Sequence, residues 1–96
     1  MTENEYNVAV ERLLDAAGRG GGTAERVKTL FMSLATETAG PPLGALMRNA
    51  DHKNRAAILA TLDGHARYGL HPAVEDFVEK VWQNETETET ETGFEP

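Results

Sequence analysis

The chain has 96 residues and no cysteine, which allows one small domain and excludes both a disulfide framework and a thiolate zinc site. Nine Lys and Arg stand against sixteen Asp and Glu, a formal charge of −7 that argues against a protein coating nucleic acid. The acids are unevenly placed: residues 83–96 hold five glutamates and no base, so eleven acids and nine bases leave residues 1–82 at only −2.

The first apolar stripe, Tyr6, Val10, Leu13, Leu14 and Ala17, has helical spacing. Gly18 stands where a helix end favours a left-handed residue, Arg19 to Gly22 read as a flexible turn, and Thr23 as the N-cap of the next helix. A second stripe, Val27, Leu30, Phe31, Leu34 and Ala35, runs to Gly40, and Pro41-Pro42 stops it. Leu43, Leu46 and Met47 fit a short helical piece ending near Asn49.

Asp51 is positioned to cap a longer helix carrying Ile58, Leu59, Leu62 and Ala66. Asp51 with Arg55 and Asp63 with Arg67 are acid-first i,i+4 pairs on it, and Gly64 permits close approach of a neighbour. Gly69 ends that helix and Pro72 opens the last, with Val74, Phe77, Val78, Val81 and Trp82 as its stripe and Asp76 with Lys80 as another pair. No useful segment alternates as a half-buried strand does. The expectation is an all-α fold, a compact antiparallel bundle of four main helices plus one short helix over residues 1–83. Residues 84–96, with Glu-Thr four times over, bury too little surface to offset their ordering entropy and read as a disordered acidic tail.

Sites of chemistry are scarce. The run Gly18 to Thr23 resembles a phosphate-cradling loop only in its glycines: a helix precedes it and no Lys follows Thr23, so it reads as a helix connector, with a weak anion nest as the alternative. His52, His65 and His71 form no i,i+4 pair, so no metal site is expected. Ser33, the sole serine, lies mid-helix and reads as bonding back to its own turn. The i,i+4 carboxylates Glu11 with Asp15 and Glu75 with Glu79 read as solvated helix faces, since acid–base work needs a desolvated cleft. No catalytic residue, enzyme activity or cofactor is therefore expected.

Binding is better represented. Arg48, His52, Lys53, Asn54 and Arg55 concentrate positive charge where a helix-turn-helix protein presents base-reading side chains. The same cluster can dock an acidic protein surface. In the tail, Phe94 can anchor an acidic docking peptide, although a merely solubilising terminus is the plainer reading. No apolar run approaches the roughly 20 residues of a membrane span, and the acidic start Met1 to Glu5 is unlike a secretory signal, so a cytoplasmic protein without membrane contact is expected.

The run Ala9 to Ala17, a glycine-containing turn, and Ala24 to Phe31 resemble a group of small helical proteins carried by bacterial plasmids, integrative elements and phages. Tyr68, Pro72, Phe77 and Trp82 are similar to that group's closing helix. The resemblance implies an accessory protein of mobile DNA, and no residue role comes with it. The leading expectation is thus a protein-binding, non-catalytic module that occupies a host protein, most sharply an inhibitor of a host defence complex in the manner of small anti-CRISPR proteins. Its candidate partner-binding residues are Glu75, Glu79, Arg48, Lys53, Arg55 and Phe94; acidic faces such as Glu75, Glu79 and the tail can fill a site built for phosphate. The alternatives are a helix-turn-helix-like DNA-binding regulator using Lys53, Asn54 and Arg55, and a homodimer that closes its thin core against a second copy.

Overall fold

Thr2 starts the first helix through a capping box. Its hydroxyl accepts from the Glu5 N–H at 3.2 Å, and the Glu5 carboxylate accepts from the Thr2 N–H at 3.3 Å. The computed structural model, which describes the backbone of residues 2–94 and the side chains of residues 2–83, continues from there as a compact all-α bundle. Its helices are α1 (Glu3–Gly18), α2 (Gly22–Thr36), α3 (Leu43–Asn49), α4 (His52–Tyr68) and α5 (Pro72–Phe94). Helix α5 enters the Glu/Thr tail over 84–96, expected to be disordered, as far as Phe94; the side chains from Asn84 on, that of Phe94 included, and residues 95–96 lie outside the described residues.

Helix α1 is the hub. It packs most extensively on α4 and also on α2, while α5 closes against α2. Val10, Leu13, Val27, Phe31, Leu46, Ile58 and Val74 are all but completely buried. Each such side chain contributes about 1.5–3 kcal/mol relative to exposure, and in a chain this short those few residues carry the fold.

The first turn differs from the sequence expectation. Gly18 belongs to α1, the C-cap Arg19 is right-handed, and Gly20 and Gly21 carry the positive φ values of 81° and 90°. Without a Cβ these two glycines reverse the chain at once, so α2 begins at Gly22 with Gly21 as its N-cap and Thr23 already inside it. Helix α2 also ends early, at Thr36 rather than Gly40, because Glu37 takes the left-handed conformation at φ 59° and ψ 30°. Two hydroxyls cover carbonyls there: Thr36 Oγ1 donates to the Met32 oxygen and Ser33 Oγ to the Thr38 oxygen, each at 2.6 Å. Ser33 thus bonds forward into the loop instead of back to its own turn.

Helix α4 starts as expected, with the Asp51 carboxylate accepting from the Asn54 N–H at 2.7 Å. That carboxylate serves the cap rather than Arg55. Asp63 with Arg67 at 3.0 Å and Asp76 with Lys80 at 3.1 Å do form, as does Asp15 with Arg19 at 2.7 Å. All are exposed and add little stability. The buried face of α4 is Ala57, Ile58, Thr61 and Gly64, whereas Leu59 and Ala66, expected inside, are exposed. The face is turned by α1, whose Tyr6 ring rests on the bare backbone of Gly64.

Candidate functional site

Two aromatic contacts fix where α5 runs. At its start, the buried Tyr6 hydroxyl donates to the Gly69 carbonyl at 2.8 Å, and the Tyr6 ring meets His71 edge-on with centroids 5.0 Å apart. His71 Nδ1 accepts from the Ala73 N–H at 3.0 Å, so the ring proton sits on Nε2 and is donated to Asn7 Oδ1 at 2.7 Å. His71 is therefore a capping and tethering residue at the start of α5, as its place before Pro72 suggests. Further along, Phe77 meets the buried Phe31 at 5.5 Å and an interplanar angle of 73°, tying α5 to α2.

Beside these contacts α2 and α5 leave an apolar groove of about 580 Å³. Ala35 and Thr36 line it from α2, Val78 and Trp82 from α5, and Leu70 from the segment just before α5. Trp82 is 60% exposed, the most exposed large hydrophobic among the described residues. A side chain of that size left in water forfeits the transfer energy that burial would return, and Trp is the residue most concentrated at binding hot spots. Glu75 and Glu79 stand on the same groove and are exposed. As like charges at i,i+4 they repel by a few tenths of a kcal/mol. Among the described residues neither forms an ion pair, whereas the neighbouring Asp76 is neutralised by Lys80.

The remaining sequence candidates do not join this site. Lys53 lines a shallower groove of about 330 Å³ along α1 and α4, with Val8, Arg12, Ala56 and Ala60. Arg48 is exposed in the last turn of α3 and Arg55 in the first turn of α4. Asn54, the adenine reader of a helix-turn-helix arrangement, is half-buried and its Oδ1 accepts from Arg12 Nε at 3.1 Å. It ties α1 to α4 with the group a base would need. The side chain of Phe94, at the end of α5, lies outside the described residues.

Periodicity placed Trp82 on the core stripe, but Glu75, Glu79 and Trp82 share a sector about 60° wide, beside the one that Val74, Phe77, Val78 and Val81 occupy. Leu70, Ala35 and Thr36 carry no sequence signal for the groove; packing alone assembles them. Among the described residues, no group of three or more His, Asp or Glu is placed to hold a metal ion, and no helix is long and apolar enough to cross a membrane. Burial pushes the Tyr6 phenol up from its ordinary value, a consequence of packing rather than a sign of acid–base work at the groove. No family model, no curated protein and no solved structure matches the chain.

Proposed function

We propose that this protein works by binding another protein through the α2–α5 groove, without catalysing a reaction. The observation that carries the reading is Trp82, a large aromatic held 60% exposed over an apolar cleft whose two walls are fixed by the Phe31–Phe77 contact. Aromatic anchors ringed by polar side chains are the usual centre of a protein interface, and Glu75 and Glu79 supply such a ring. The sharper reading, occupation of a host defence complex by a protein of mobile-element origin, draws on the resemblance of α1 and α2 to small helical accessory proteins. The DNA-regulator reading is weaker on the same residues, since Asn54 is engaged by Arg12.

Capture from a bacterial lysate with the full chain, Trp82→Ala, and Lys53→Ala with Arg55→Ala tests the proposal. A stoichiometric protein retained by the wild type and by the Lys53/Arg55 variant, and lost with Trp82→Ala, supports it. Equal capture by all three, or no protein captured at all, removes it.

A further inference from the structure

The geometry points to a cationic amphipathic helix of a partner protein as the occupant of the Trp82 groove, an inference that rests on that groove being the binding face. Both walls are helical, and a third helix fits such a cleft by laying an apolar row spaced i, i+3 or i+4, and i+7 into it. Strand addition has no template, because the described residues contain helices, turns and bends and no sheet edge. Glu75 to Trp82 covers seven steps of 1.5 Å, a wall about 10 Å long, which two turns of an incoming helix match.

Charge decides what flanks the apolar row. No Lys or Arg lines the groove, and its two carboxylates lack ion-pair partners among the described residues. The sequence after Trp82 adds five glutamates and no base up to Pro96. Lys or Arg placed one helical turn apart on the occupant neutralises Glu75 and Glu79 together and relieves their mutual repulsion. An acidic helix meets the same rim at a penalty, so the groove discriminates by sign as well as by shape.

The chain has a single tryptophan, so Trp82 emission reports on the groove directly. The full chain is titrated with a tryptophan-free Leu/Lys amphipathic helical peptide of about five turns, and with its Leu/Glu counterpart. The Lys peptide is expected to shift the emission to the blue, saturably, with an affinity that weakens as salt rises, and the Glu peptide is not. Glu75→Lys with Glu79→Lys lowers the affinity for the Lys peptide by about tenfold or more. Glu3→Lys with Glu11→Lys, an equal change of net charge on α1, leaves it unchanged, with folding of both variants checked by circular dichroism. An unmoved spectrum with the Lys peptide, an equal response to both peptides, or an equal loss in the Glu3/Glu11 variant overturns the inference. Its failure is distinguishable from failure of the groove itself: a protein whose capture depends on Trp82 but not on Glu75 and Glu79 leaves the groove standing and removes only the cationic occupant.

Discussion

The Tyr6 ring lies against the backbone of Gly64, so close that a Cβ on that residue would overlap the ring. This contact sets the approach of α1 to α4, and the Tyr6 hydroxyl on Gly69 then sets where α5 begins. Gly64→Ala separates the contact from helix propensity. Propensity alone favours alanine by about 1 kcal/mol in a helix interior. With a buried ring in the way, the substitution is expected instead to destabilise by about 1–3 kcal/mol, read as a lower denaturation midpoint. A higher midpoint would show that Tyr6 moves aside freely.

Tyr6→Phe keeps the ring and deletes the bond to Gly69. A loss of about 0.5–1.5 kcal/mol is expected in chemical denaturation. The same residue gives a pH dependence. Because burial raises the phenol above its ordinary value of 10.0, its contribution is complete below that pH and is lost as pH rises through the folded-state value. The thermal midpoint should therefore fall above about pH 10, and that component should be absent in Tyr6→Phe.

Thr61 is fully buried and its Oγ1 has no hydrogen-bond partner. Thr61→Val removes the hydroxyl and keeps the shape. Where exchanging threonine and valine ordinarily disturbs a core, this change is expected to be neutral or stabilising by up to about 1 kcal/mol. A loss of stability on denaturation would show that the hydroxyl is satisfied in solution.

Trp82→Ala should leave the fold alone, since exposed positions shift stability by less than about 0.5 kcal/mol, while weakening partner binding by about 2 kcal/mol or more, as a hot-spot residue does. Denaturation and binding isotherms on the same variant separate the two effects. Parallel losses in both would make Trp82 a structural residue.

Helical architecture was legible because stripes such as Tyr6, Val10, Leu13 and Ala17 need no tertiary knowledge to read, and Tyr6, Val10, Leu13 and Ala17 are indeed buried. Gly64 was legible too, as a place for close approach, though not its neighbour. What periodicity does not resolve is a stripe's margin. Ile58 and Leu59 are adjacent and equally apolar, and only the crossing of α1 decides that Ile58 is buried and Leu59 is not. Trp82 fails in the same way, one sector away from Val78. Glu75 and Glu79 were legible as an exposed acidic pair, but the cleft beside them depends on Phe31 reaching Phe77 from a helix forty-odd residues earlier. The cap at Thr23 failed because the freedom of Gly20 and Gly21 let α2 begin before it.

The most direct measurement is photo-crosslinking in a bacterial host, with a photoreactive aromatic residue placed at Trp82 in one protein and at Arg55 in another. Both positions are exposed, one on the α2–α5 groove and the other at the start of α4. The expected result is one discrete protein adduct from position 82 and none from position 55. An adduct from position 55 alone, or none from position 82, would contradict a binding face at Trp82.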